Sequence, residues 1–154
     1  MTREQRILEI LLTITNISNN TKLTFEEKLQ RVLFKVVNSL QAKRGSIMLL
    51  KGRKALEVAA STKPELVGVK QSLEEESPSG WVLKNKKPLY VDRKTVHGNF
   101  VAKTHGYEKS AFLVAPIISN DKVVGVLSVT EKSGEDAFDK VEQEILLEVI
   151  GQVI

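Results

Sequence analysis

Residues Glu108–Lys132, EKSAFLVAPIISNDKVVGVLSVTEK, decide how this chain folds. They are two apolar runs joined by the polar segment Ser119–Lys122, SNDK. Asn and Asp tolerate the backbone of a short hairpin turn, so the stretch is predicted to be an antiparallel hairpin. A strand with one wet face alternates apolar and polar side chains. Here Ala111, Leu113, Ala115 and Ile117 fall on one face, while Phe112, Val114, Pro116 and Ile118 fall on the other. Both faces are therefore expected to be dry, each beneath its own cover. Pro116 has no N–H and fits a strand only where the ladder is skipped or bulged, and Gly125 lets a neighbouring group approach closely.

After the hairpin, EDAFDKVEQEILLEVIGQVI carries a helical stripe of Phe138, Val141, Ile145, Leu146, Val149 and Val153. The stripe stops at Ile154 without a cap, which is expected of a chain that continues into a further domain. At the other end, REQRILEILLTITNIS places Ile7, Leu11, Ile14 and Ile17 on one stripe, widened by Leu8, Ile10 and Leu12. That width serves the domain's own sheet or the same helix of a second subunit. Thr24 and Glu27 have capping-box spacing and open a second helix, with Phe25, Leu29, Val32, Leu33, Val36, Val37 and Leu40 recurring three and four apart.

From Gly45 the period changes to that of strands, GSIMLLKG then ALEVAAS, with KGRK as the turn between them. A third strand is expected over 67–73. In EEESPSGWVLKNKKPLYVD, Pro78 and Gly80 mark a turn, 81–84 fit a short helix, and PLYV returns to strand. Residues 93–108 lack periodicity and are expected to be loop. Helices at both ends around a run of strands predict an α+β fold, an antiparallel sheet of five or six strands with the long helices on one face.

At 154 residues, 42% hydrophobic and 27% charged, the chain suits one domain with a real core. No apolar run approaches the ~20 residues that cross a bilayer. A soluble, cytoplasmic protein with no membrane partner is expected. Without cysteine there is no disulfide, thiolate metal site, thiol nucleophile or thioether-linked bilin. The net charge of +4 is spread along the chain, and its densest cluster, Lys84–Lys87, lacks interleaved aromatics. Nucleic-acid contact is therefore not expected. His97 and His105 have no company from which to build a closed metal site. No paired nucleophile and base, and no glycine-rich phosphate loop, marks an enzyme.

Three segments carry a family resemblance: RGSIMLLKG after an amphipathic helix, SGWVLKNKKPLYVD, and LVAPIISNDKVVGVLSV. In their order and spacing the whole chain, 1–154, resembles a GAF domain, a small-molecule sensing module related to PAS domains. The resemblance implies that one sheet face packs on the first two helices and the last. The other would floor a pocket beneath residues 74–108.

By alternation Ser46 and Met48 share one face of their strand, and the resemblance turns that face toward the pocket. Trp81 follows Gly80 where the family has a Gly-x-x-Gly turn, with Ser77 replacing the first glycine; its indole either walls the pocket or caps the core. Asp92, His97 and Tyr107 are candidate rim contacts, with Ser128 and Thr130 at the polar end of the last strand. Relatives that bind cyclic nucleotides carry an Asn-Lys, Phe, Asp-Glu motif. Lys132 and Phe138 match it, Glu142 stands in for Asp, and Glu131 and Gln143 replace Asn and Glu. The match keeps an expected Lys132–Glu142 ion pair but argues against cyclic-nucleotide recognition, and an ordinary helix start with Phe138 in the core is the favoured reading.

Relatives that reduce free methionine sulfoxide work through cysteines, which this chain lacks. The resemblance thus implies a non-enzymatic sensor with an unidentified small-molecule ligand. It is expected to dimerise through 1–20 and 138–154, with Ile7, Leu11, Ile14 and Ile17 at the interface. An output domain is expected in the same chain: a histidine kinase, an ATPase-type transcription activator or a cyclic-dinucleotide enzyme. The alternative is a ligand-free dimerisation and coupling module.

Overall fold

A computed structural model describes residues 2–91, 112–132 and 138–150, without the side chains of 131, 132 and 148–150. Helix α1 runs Arg3–Ser18 and α2 runs Phe25–Ser39. Both open with a capping box: the Thr24 hydroxyl accepts the Glu27 N–H at 3.1 Å while Glu27 accepts the Thr24 N–H at 3.2 Å, and Thr2 and Gln5 repeat the pattern. Two of the four orphan amides of each first turn are thereby satisfied.

Strand β1 spans Ala42–Lys51 and β2 spans Ala55–Ser61, with Gly52 at φ +61° in the turn between them. β1 begins three residues before the position expected from sequence. Ala42 and Arg44 are held by pairing with Lys132 and Thr130, a long-range partner that local patterning does not reveal. A 3-10 turn at Pro64–Leu66 precedes the third strand, and β3 is confined to Lys70–Ser72 within the 67–73 expected. Helix α3, Pro78–Asn85, is longer than expected because Ser77 caps it and Pro78 sits in its first turn. Strand β4 is Leu89–Val91, β5 is Phe112–Ser119, β6 is Lys122–Lys132, and α4 is Lys140–Ile150. The β5–β6 turn places Asn120 at φ +51° and Asp121 at +64°, the left-handed pair of a two-residue hairpin.

The strands form one sheet in the order β3-β2-β1-β6-β5-β4, and every neighbouring pair is antiparallel. Both faces are dry, as the hairpin required. Leu113, Ala115, Ile117, Leu127 and Val129 join residues of α1, α2 and α4 in one core. Phe112, Val114 and Val126 join Met48, Leu56, Val58, Leu89 and Val91 in a second, covered by Val82 of α3. Ile118 departs from the pattern: a register shift between Ile117 and Ile118 leaves it 46% exposed. Pro116 lies beyond the β4 ladder, which ends at Val114, so no hydrogen bond is lost on that side. At Gly125 a β-carbon would collide with the Met48 carbonyl oxygen, so β6 passes β1 there too closely for a side chain.

The α1 stripe is spent on the domain's own core. Ile7, Ile10 and Ile14 are buried there, and Leu11 and Ile17 pack against it. Each buried isoleucine is worth about 2 kcal/mol, so docking and not propensity holds this helix in place. Of the four residues expected at a dimer interface, Ile7 and Ile14 therefore face inward. The exposed apolar residues of α1 are Leu8 at 58% and Leu12 at 57%.

Candidate functional site

The register of β1 against β6 pairs Ser46 with Ser128 and Met48 with Val126, and β5 pairs Phe112 with Thr130. Alternation then puts Ser46, Met48, Ser128 and Thr130 on the sheet face opposite α1, α2 and α4. The Ser46 and Ser128 hydroxyls hydrogen-bond across the strands at 2.9 Å. Ser128, Thr130 and Met48 are buried. A sheet face built for packing alone would carry valine at such positions, because a buried hydroxyl costs free energy unless it finds a partner. Here two hydroxyls partner each other and together use only one of their two donors.

Trp81 projects from α3 and packs, partly buried, against the same second core. The replacement of glycine by Ser77 at the head of this turn has a local cause. The Ser77 hydroxyl accepts the Gly80 N–H at 3.0 Å and so starts the helix that carries Trp81. Beside Trp81 lies an open cleft of about 350 Å³ between α3 and the segment before it. Glu74, Glu75, Glu76, Trp81 and Lys84 line it, so its walls are predominantly acidic. The lining shares Trp81 with the predicted site but includes none of Ser46, Met48, Ser128 or Thr130. A run of acids beside a turn looks the same whether it faces bulk water or a cleft.

Asp92, His97 and Tyr107 lie outside the described residues, as does His105. The Lys132 side chain does too, so the expected ion pair with Glu142 falls outside the description. Glu142 itself is 2% exposed and belongs to the start of α4. Its carboxylate accepts the Asp139 N–H at 2.9 Å while Asp139 accepts the Glu142 N–H at 2.8 Å. Phe138 beside it is buried in the helical core. Among the described residues no group of three or more His, Asp or Glu is placed to hold a metal, and no helix is long and apolar enough to cross a membrane.

The sequence profile of the GAF domain matches residues 24–154. The chain belongs to the GAF domain family. The fold of this GAF domain is also that of solved relatives. The GAF domain of a phosphoenolpyruvate-protein phosphotransferase from Acinetobacter is 26% identical, with a TM-score of 0.76 over 96% of this chain and 89% of that one. The A. aeolicus nlh2 GAF domain in an inactive state is 22% identical, with a TM-score of 0.75 over 99% and 95%. The free methionine-R-sulfoxide reductase from Neisseria meningitidis, solved with its substrate, is 17% identical, with a TM-score of 0.74 over 96% and 85%. The last two are likenesses of fold alone. No curated protein matches the chain. GAF domains are a family of sensory and regulatory modules, and the six-stranded antiparallel sheet with four α-helices is the architecture expected of this one.

Proposed function

We propose that this GAF domain is a non-enzymatic, cytoplasmic regulatory sensor that binds a small polar molecule on the second face of its sheet and signals through its terminal helices. The observation that carries this reading is the Ser46–Ser128 hydroxyl pair, set with buried Thr130 in a face otherwise lined by Met48, Phe112, Val114 and Val126. Polar groups inside an apolar frame fix the orientation of a ligand, while the frame supplies its burial. Trp81 walls the neighbouring cleft, and Asp92, His97 and Tyr107 complete the proposed site. A ligand acts here by binding two states of the domain unequally. The output is a histidine kinase, ATPase-type activator or cyclic-dinucleotide enzyme in the same chain. Leu8 and Leu12, the exposed leucines of α1, form the proposed dimer contact. The absence of cysteine removes the thiol chemistry a free methionine sulfoxide reductase of this fold would need.

A second reading, a ligand-free dimerisation and coupling module, draws on the same face. Met48, Phe112, Val114 and Val126 are each 8% exposed or less, so the domain's own side chains already fill much of it. Native mass spectrometry of the purified domain, then thermal-shift screening against cyclic nucleotides, amino acids and 2-oxo acids, separates the two. Ligand at a hundredfold its Kd adds about 2.7 kcal/mol of stability and raises Tm visibly. A flat response across the library favours the coupling module.

A further inference from the structure

The Tyr90 phenol oxygen accepts the backbone N–H of Phe138 at 3.0 Å, joining β4 to the residue that leads into α4. We infer that Tyr90 is a relay: it carries displacements of α3 and β4, on the cleft side of the sheet, to the start of α4 on the helical side. The inference rests on the sensor reading for the direction of the signal and assigns that signal a route.

Three features of the fold support it. The first is alternation within β4. Leu89 and Val91 are buried in the second core, whereas Tyr90 between them packs against the helical core. A strand so short cannot move one face without the other. The second is the connection to the cleft. Trp81 and Lys84 of α3 line it, and only Lys86, Lys87 and Pro88 separate α3 from β4. Pro88 has a fixed φ, which removes one of the dihedrals through which so short a link could absorb a shift of α3. The third is that β4 is the outermost strand at one side of the described sheet and is laddered there to β5 alone, through Leu89–Val114, Tyr90–Leu113 and Val91–Phe112 among the described residues. Elements with few ladder bonds open at lower free energy than the centre of a sheet.

The receiving end is gripped on both sides of one residue. Tyr90 holds the Phe138 N–H, the Gln143 side-chain amide donates to the Phe138 carbonyl at 3.1 Å, and the Asp139–Glu142 box begins the helix immediately after. Moving Tyr90 therefore moves the first turn of α4. From there Ile145 and Leu146 of α4 share the helical core with Ile7 and Ile10 of α1, and Glu144 meets Arg3 at 2.7 Å, so α1 is in the path of the displacement.

The test is a double-mutant cycle read by amide hydrogen exchange in NMR on the whole chain. Tyr90→Phe deletes one oxygen and keeps the ring. It is expected to speed exchange at Phe138 on the order of tenfold, with the β1–β6 ladder unchanged. Leu89→Val is a mild push from the cleft side. In the native background it should speed exchange at Phe138 and the first α4 turn several-fold, and in the Tyr90→Phe background by less than about twofold. Equal effects in the two backgrounds overturn the relay. If Leu89→Val fails to fold, Trp81→Phe provides the push and is judged by the same comparison. The cycle needs no ligand, so it fails independently of the sensor reading: a flat ligand screen leaves the relay standing, and an additive cycle removes it even where a ligand binds.

Discussion

Ser46 on β1 and Ser128 on β6 share a hydrogen bond, 2.9 Å between hydroxyl oxygens, within a face packed by Met48, Val114 and Val126. Neither residue is near the other in sequence, and only the register of the two central strands brings them together. Ser46→Ala and Ser128→Ala are each expected to cost about 1 kcal/mol, and the double variant no more than either single, because the bond is lost once. Urea denaturation of all four proteins measures the cycle. Additive losses show that the hydroxyls do not support each other. Any ligand found by the screen should also lose affinity on Ser128→Ala.

Gly125 and Gly45 rank differently despite both lying in central strands. A β-carbon on Gly125 meets the Met48 carbonyl, which is backbone and cannot swing aside. On Gly45 it meets Val37 Cγ2 at 2.6 Å, a side-chain methyl. Gly125→Ala should cost roughly 3 kcal/mol and Gly45→Ala roughly 1–2 kcal/mol. Thermal unfolding decides the order, and a milder Gly125→Ala contradicts the close approach of β6 to β1.

The two sides of α1 give opposite outcomes on charging. Leu8→Glu with Leu12→Glu should leave the domain folded and convert a dimer to a monomer in sedimentation. Ile14→Glu, at a fully buried site, should prevent folding, and Ile14→Ala should cost about 3 kcal/mol. A Leu8→Glu, Leu12→Glu variant that still sediments as a dimer places the interface elsewhere.

The reciprocal caps predict a conservative and a disruptive substitution at each helix start. Thr24→Ala removes the acceptor for the Glu27 N–H and is expected to cost about 1 kcal/mol, with Thr24→Ser costing much less. At α4, Asp139→Ala should cost a similar amount while Asp139→Asn keeps an oxygen for the Glu142 N–H. Circular dichroism melts of the four variants check both pairs.

Where the signal was local, the sequence was sufficient. The limits of α1 and β2, the Thr24 cap, the left-handed turn at Asn120–Asp121 and the two dry faces of the β5–β6 hairpin all follow from periodicity and turn chemistry. The grouping of Ser46, Met48, Ser128 and Thr130 comes from the family resemblance and not from periodicity, since alternation fixes faces only once the pairing of β1 with β6 is known. What was not legible depends on distant partners. The early start of β1 rests on β6, and the inward side of α1 rests on α2, α4 and the sheet, so a broad stripe did not reveal that Leu8 and Leu12 stay outside. Tyr90 reads as an ordinary strand-forming aromatic, because its hydrogen-bond partner lies 48 residues away. The acids of the cleft carry no periodic signal at all.

The outermost strands of the described sheet, β3 and β4, are three residues each, and β3 reads Lys-Gln-Ser. A short border with a lysine on it is a poor template for an incoming strand. The apolar run of β6 lies between β1 and β5, and β5 beyond Val114, where β4 no longer covers it, carries Pro116, which has no N–H to offer an incoming strand. Resistance of this domain to edge-to-edge association therefore rests on how its sheet is bordered, together with its net charge of +4.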